Sequence, residues 1–439
     1  MMNKNAKKSV KIVLSVSILM RVTASYAEMT LEQQVAHLQQ QVQELQNLMQ
    51  QQKQASEKIS AELPALKKIS DKIDIKPLVT KGGAEFEFYG NVRADASYQF
   101  KGPATMYNYI STVPLKGSTA EANNSDKLQS TLNATRLGFN FKTPNIGKHS
   151  VGGKIEMDFF GGAGRDTFRI RHAYLTYGDW LIGQTWSNFN AVEYYPETVD
   201  ASLSVGGSLT RVPQVKYSYI IDKNVNFSLS LEDPKAETVA ASGTQNFTTD
   251  TKAKLKLPSA VGRLNYKFDN GSALSGRLFL TQKATNHENK EHILAWGAAI
   301  GGKYQLTDNS LLRFDYNHIK GDSKNVLWSN YAYVFDDFGT IHANEFNTVT
   351  IGFTQKITSK IRSTLGFGYM RANSNNAFAD LVYDDSTQNK ELKQGWINVF
   401  YNPVKPINFG IEYMYGERKT FMDLKGIDNR INLTAIYDF

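Results

Sequence analysis

The chain has 439 residues, no cysteine, 22 Tyr, 24 Phe and a formal net charge of +8; this length excludes a small single domain and suits one large barrel or two to three globular domains. The missing thiols exclude disulfides and thiolate metal sites. No apolar run reaches the ~18 residues of a membrane helix, which leaves open a barrel, whose alternating strands escape a hydropathy window.

Lys4, Lys7, Lys8, Lys11 and Arg21, with no acid among them, supply five of the net charges, so residues 28–439 carry +3. That is no basis for a nucleic-acid partner, whose basic residues would cluster on one face. The same lysines precede a short apolar run, Ile12 to Met20, interrupted by Arg21 and followed by Ser25-Tyr26-Ala27. Positive residues, a short apolar stretch and a small-x-small site predict a secretory signal over 1–27, removed to leave Glu28 first.

From Leu31 the apolar residues step by four and three through Val35, Leu38, Val42, Leu45 and Met49, and the register resumes at Ile59, Leu63, Leu66 and Ile73. Gln52, Ser56 and Ser70 are the polar exceptions. This heptad pattern predicts an α-helical coiled coil, firm over about 30–60 and weaker beyond Pro64, which removes a backbone donor. The flanks are rich in Gln and nearly uncharged, which favours self-association over packing on the chain's own domain. Val at a and Leu at d favour two strands. Residues 74–84, with Pro77 and Gly82-Gly83, read as a linker, so 28–84 is expected to be a coiled coil and tether.

Residues 85–439 alternate at period two. The first run places Phe86, Phe88, Val92, Ala94, Ala96, Tyr98 and Phe100 on one face and Glu87, Arg93, Asp95, Ser97 and Gln99 on the other. The last, Arg430 to Phe439, alternates likewise and ends on Tyr437 and Phe439, as a strand closing a barrel at an aromatic girdle does. Counting such runs predicts strands near 85–100, 130–142, 150–160, 168–177, 180–188, 213–221, 225–233, 258–268, 272–283, 293–306, 310–321, 345–357, 361–372, 392–402, 406–418 and 429–439. Connectors after even-numbered strands are short and carry turn residues, such as Gly178-Asp179 and Asp269-Asn270-Gly271, whereas those after odd-numbered strands are mostly long. Short periplasmic turns and long outer loops distinguish an outer-membrane barrel. The expected fold is therefore all-β, a 16-stranded antiparallel transmembrane β-barrel with an N-terminal α-helical coiled coil on the periplasmic side.

A barrel of this size leaves an aqueous channel. By parity its lumen carries Arg93, Arg136, Arg263, Arg277 and Arg313 near mid-strand, with Lys154, Lys216, Lys303, Arg362, Arg418 and Arg430, opposed by Asp95, Glu156, Asp158, Glu232, Asp315 and Glu412. Arg169 and Arg171 join them if they point inward; parity is ambiguous there, because Ala173, Leu175 and Tyr177 share their face. Arginine offers a fixed fork that matches a carboxylate in two-point contact. The set reads as selectivity sites for anions, with pairing to lumen acids as the alternative for any single arginine. The third long loop, 189–212, holds Glu193, Tyr194, Tyr195, Asp200 and Arg211; it either folds inward to narrow the pore or lies on the surface, and its length favours neither.

Phe88 to Tyr98, Val113-Pro114-Leu115-Lys116-Gly117, Thr135-Arg136-Leu137-Gly138-Phe139 and Arg169 to Phe189, together with the coiled coil, resemble the DcaP-like trimeric porins. The resemblance spans essentially the whole mature chain. It implies a homotrimer whose channels take up dicarboxylates and similar anions, and a third loop that constricts each pore. The trimer comes from the resemblance and not from the heptads.

The leading expectation is thus a passive diffusion channel for small organic anions in the outer membrane of a Gram-negative bacterium. Its partners are the lipid bilayer and lipopolysaccharide, its own copies, small anionic solutes and, through the coiled coil, the cell wall; no cofactor or metal is expected. A phosphate or general-diffusion porin is the alternative within the class, although Asp95 and Asp315 weigh against a phosphate ladder. An envelope structural protein gripping the cell wall is the alternative outside it. A barrel lipase needs a Ser/His/acid set on the outer wall, and the lone outward His318 does not supply one, so no enzyme is expected.

Overall fold

Period-two alternation builds a wall with one oily and one polar face, and the computed structural model shows that wall closed on itself. It describes residues 83–107, 109–146, 149–161, 167–234, 256–284 and 292–439, the short strands Leu78–Val79, Glu237–Val239 and Phe247–Thr249, and four single helical positions, Gln40, Gln43, Asn47 and Gln50. Those four are exposed. The remainder of the predicted coiled coil, and the signal over 1–27, lie outside the described residues.

Sixteen antiparallel strands form the wall: β1 Glu85–Lys101, β2 Arg136–Ile146, β3 His149–Gly161, β4 Thr167–Tyr177, β5 Trp180–Trp186, β6 Arg211–Ile220, β7 Val225–Glu232, β8 Ser259–Lys267, β9 Ala273–Ala284, β10 His292–Thr307, β11 Ser310–Lys320, β12 Glu345–Lys356, β13 Ile361–Ala372, β14 Asn389–Tyr401, β15 Ile407–Thr420 and β16 Lys425–Asp438. Each pairs with its neighbours in chain order. β16 returns to β1 with Ala94 opposite Ala435, and Gly90 and Phe439 exchange both backbone hydrogen bonds at 3.0 Å. The terminal Phe439 ring lies 5.2 Å from Phe88. The chain end is therefore a paired stave, which removes the free edge that an open sheet would expose.

Every predicted strand is present, and the sorting of connectors by parity holds. The turns after β4, β10 and β12 are only a few residues long, whereas 102–126, 187–210 and 321–344 follow odd-numbered strands; Lys127–Thr131 already pairs with the loop half of β1 ahead of β2. Large apolar side chains such as Phe88, Val92, Leu229, Leu278, Leu365, Ile397, Ile411 and Tyr413 are exposed on the outer face. Their sequence neighbours Asp95, Ser230, Arg277, Asn398 and Glu412 are buried on the inner one.

The inner space is not polar throughout. Tyr107, Tyr109 and Ile110 of the first long connector pack with Phe189 and Val205 of the third and with Val326 and Trp328 of the sixth in one buried apolar cluster. Tyr109 meets Trp328 edge-on at 4.7 Å, and Leu327 N–H donates to Gly207 O at 3.0 Å. These loop apolar residues have no period, so alternation could not reveal them. Their burial rests on lumen side chains: Arg430 donates to Met106 O at 2.6 Å and the Tyr107 hydroxyl to Asp95 at 3.2 Å.

Candidate functional site: the lumen wall and its inward loop

Along β1 to β6 the inner face concentrates arginine. Asn91 stands opposite Arg136, Arg136 opposite Asp158, and Asp158 opposite Arg169, so neighbouring strands bring these side chains into one row. The parity ambiguity in β4 is resolved by a β-bulge. His172 pairs with Glu156 and Ile170 with Met157, leaving Arg171 as the extra residue. A bulge reverses the facing of the residues beyond it. Arg169 and Arg171 therefore point inward before it and His172 and Tyr174 after it, while Phe168, Ile170, Leu175 and Tyr177 all meet lipid.

The row is partly neutralised. Arg169 pairs with Asp158 at 2.7 Å, Arg171 bridges Glu156 at 2.7 Å and Asp158 at 2.8 Å, and Arg93 holds Asp95 at 2.8 Å. Tyr89 donates to Glu156 at 2.8 Å. Among the described residues Arg136 and Arg211 make no ion pair. Arg211, the first residue of β6, places its guanidinium 4.6 Å over the Trp186 ring, and Arg171 stands 5.8 Å over the same ring. Arg211 thus belongs to the basic wall and not to the loop in which its sequence position alone had placed it. Trp186 carries no period or charge that marks it in the sequence, although the stretch holding it carried the family resemblance; a cation over its face gains a cation–π attraction.

The third loop, 187–210, folds into the lumen and is fastened across it. Glu412 of β15 accepts from the Thr198 hydroxyl at 2.9 Å, Val199 N–H at 2.9 Å and Asp200 N–H at 3.3 Å. Arg362 of β13 grips Glu197 through two bonds of 2.7 and 2.8 Å, a bidentate fork. Trp396 and Asn398 of β14 donate to Glu197 O at 2.9 and 2.8 Å. On the opposite wall Arg263 donates to Asn190 O at 2.6 Å and pairs with Glu193. Arg277 pairs with Asp315 and donates to Phe189 O at 2.7 Å.

These contacts sort the predicted residues. Glu193 is partly exposed beside Arg263, on the open side of the loop. Tyr194 and Tyr195 are buried under it, the Tyr195 hydroxyl donating to Ser204 O at 2.6 Å. Asp200 is buried, accepts from Ser202 and lies 3.9 Å from Arg430. Arg277 is on the predicted face but only 2 % exposed, so it pins the loop and presents no fork to the channel. Arg313 faces the lumen with a 3.3 Å bond to Thr354 and no ion pair among the described residues. Glu197, Arg362 and Glu412 fasten the loop, a role that parity could not assign. His318 faces outward, against Trp296 and Asn347.

A closed sixteen-strand wall, an oily exterior, a charged interior and a loop folded across the bore define an outer-membrane channel of the porin class. The chain belongs to the DcaP outer membrane protein family, whose model matches residues 14–439. It is 34% identical to the outer membrane channel DcaP of Acinetobacter baumannii, over 83% of this chain and 100% of that one, with a TM-score of 0.75. An anion-selective porin from Comamonas acidovorans shares the fold at 11% identity, covering 81% of this chain and 100% of its own, with a TM-score of 0.55. So does OmpF of Salmonella typhi in complex with daunomycin, at 13% identity, 82% and 99% coverage and a TM-score of 0.52. No curated protein matches. The chain is an outer-membrane channel of a Gram-negative bacterium and not an enzyme.

Proposed function

We propose that this channel passes small organic anions by diffusion, dicarboxylates foremost, with the inward loop as its constriction. The observation that carries the reading is the imbalance of the wall. Arg136, Arg211, Arg313, Lys154, Lys216 and Lys303 face the lumen with no ion pair among the described residues. The lumen acids away from the rim are taken up instead. Asp95, Glu156, Asp158 and Asp315 pair with arginine, and Glu232 and Glu412 are buried against backbone N–H groups of the loop. Cations with no carboxylate partner attract anions into the bore, while water competition keeps each contact weak enough to release. Forked donors at several heights suit a solute with a carboxylate at each end.

The same reading keeps residues 1–27 as a removed export signal and 28–84 as a periplasmic coiled coil and tether. It assembles the barrels as a homotrimer, as the family resemblance implies. The exposed helical positions Gln40, Gln43, Asn47 and Gln50 fit the polar side of such a coil.

Reversal potentials across a planar bilayer in a KCl gradient, paired with vesicle swelling, test the proposal. The expected result is anion preference and faster entry of a four-carbon dicarboxylate than of a four-carbon polyol. Changing Arg136 and Arg313 together to Ala should reduce both. Equal entry of the two solutes would make it a general-diffusion porin, and preference for inorganic phosphate over the dicarboxylate would make it a phosphate channel.

A further inference from the structure

Outward positions of a barrel wall meet lipid, where a charge is costly unless it lies near the interface and finds a polar partner. At the loop ends of β13 to β16 six outward positions are charged: Arg371, Glu391, Lys393, Glu417, Lys419 and Lys425. They continue the lipid-facing series that includes Leu365 and Phe367 on β13, Ile397 on β14, and Tyr413 and Tyr415 on β15. Register gathers them into one patch. Arg371 stands opposite Glu391, Glu391 and Lys425 opposite Lys419, and Lys393 opposite Glu417. The loop ends of β4, β7 and β10 instead present Phe168, Leu231 and Leu294 to the outside.

Within the patch the carboxylates are oversubscribed. Glu417 serves both Lys393 at 3.1 Å and Lys425 at 3.3 Å. Asp423, in the turn between β15 and β16, serves both Lys419 at 3.0 Å and Lys390. Hydrogen bonds from Lys390 and then Lys419 hold the Asp423 carboxyl below the usual range, so it stays ionised and the charge count stands. Arg371 makes no ion pair among the described residues.

With Glu391 4.0 Å from Lys393, three carboxylates face four lysines and Arg371, which leaves positive charge over at the loop end of the wall. We propose that this face binds an outer-leaflet lipid whose sugar headgroup carries phosphates, with Lys393, Lys419, Lys425 and Arg371 on the phosphates and the tyrosine row below against the first acyl carbons. Lysine and arginine make charge-assisted hydrogen bonds to phosphate oxygens, and Tyr sits well at a headgroup boundary. The site lies on the outside of the wall and is separate from solute passage.

The test uses the full-length protein extracted in mild detergent, with bis-phosphorylated lipid A, mono-phosphorylated lipid A and inorganic phosphate as probes, and native mass spectrometry as the readout. The wild type should retain bis-phosphorylated lipid A more strongly than the mono-phosphorylated form. The triple variant Lys393→Gln, Lys419→Gln, Lys425→Gln should retain it more weakly by roughly fivefold per charge removed, with its heat-resistant gel mobility unchanged. Glu417→Gln, which releases two lysines, should retain it at least as well as wild type, so the reading stays testable if the triple variant does not fold. Millimolar inorganic phosphate should leave the lipid bound. Equal retention by wild type and triple variant would overturn the proposal, as would loss of lipid from Glu417→Gln. Displacement by inorganic phosphate would make the ligand the free ion. A fall in oligomer size without change in bound lipid would mean that a second copy of the chain covers the face.

Discussion

Arg136 on β2 and Arg171 on β4 flank the same acids of β3 and are not equivalent. Arg171 is buried between Glu156 and Asp158, with its charge fully opposed. Arg136 stands across from Asp158 on the neighbouring strand, but that acid is already bound by Arg169 and Arg171. Deleting one member of a buried pair strands its partner and costs about 3–5 kcal/mol. Arg136 is half-buried and no carboxylate is left bare when it goes, so its deletion removes chiefly its field across the aqueous bore, about 1 kcal/mol on an ion at ~4 Å. Arg171→Ala should therefore lower the temperature at which the folded gel band is lost. Arg136→Ala should leave that temperature in place and reduce the anion-to-cation permeability ratio by up to about fivefold. The opposite pattern would mean that Arg136 holds the wall and Arg171 faces the solute.

At the scale of elements, the inward loop depends on close approach. Gly206 has φ +97° and packs directly on Val349 O of β12, while its own carbonyl accepts from Thr348 at 3.0 Å. A β-branched residue there adds a clash to a backbone conformation that already costs about 1–3 kcal/mol for a residue other than glycine. Gly206→Val should shift the loop away from the wall, raising single-channel conductance and weakening ion preference while the barrel still folds; unchanged conductance would show that the loop does not narrow the bore. The strands themselves were legible because lipid on one side and water on the other force period two, and turn chemistry fixed their ends. The features that escaped are those that break or ignore that period. The bulge at Arg171 has no composition of its own, so the facing of β4 stayed ambiguous. The loop cluster around Tyr109 and Trp328 has no repeat to read. Parity placed Arg277 on the correct face but could not give its depth beneath Phe189 O, so a loop fastener looked like a selectivity site.

For the whole molecule, the small net charge hides a separation of roles. The acids of the lumen wall are spent on structure: Asp95, Glu156, Asp158, Asp315 and Asp428 pair with arginine, and Glu412 and Glu232 hold the loop by its backbone. The surplus of Arg136, Arg211, Arg313 and the lumen lysines then acts on mobile ions as a field and not as a set of tight sites. A field of that origin is screened, with a Debye length of about 10 Å at 0.1 M salt and about 3 Å at 1 M. A site built on close bidentate contact would keep its preference, since partners in contact are screened much less. The anion-to-cation permeability ratio should therefore fall toward that of free ions as KCl rises from 0.1 to 1 M at a fixed gradient ratio, while the folded gel band stays put because the buried pairs are shielded from salt. A permeability ratio that holds constant over this range would assign selectivity to contact geometry at the loop, where Arg263 and Glu193 meet, and not to the surplus charge of the wall.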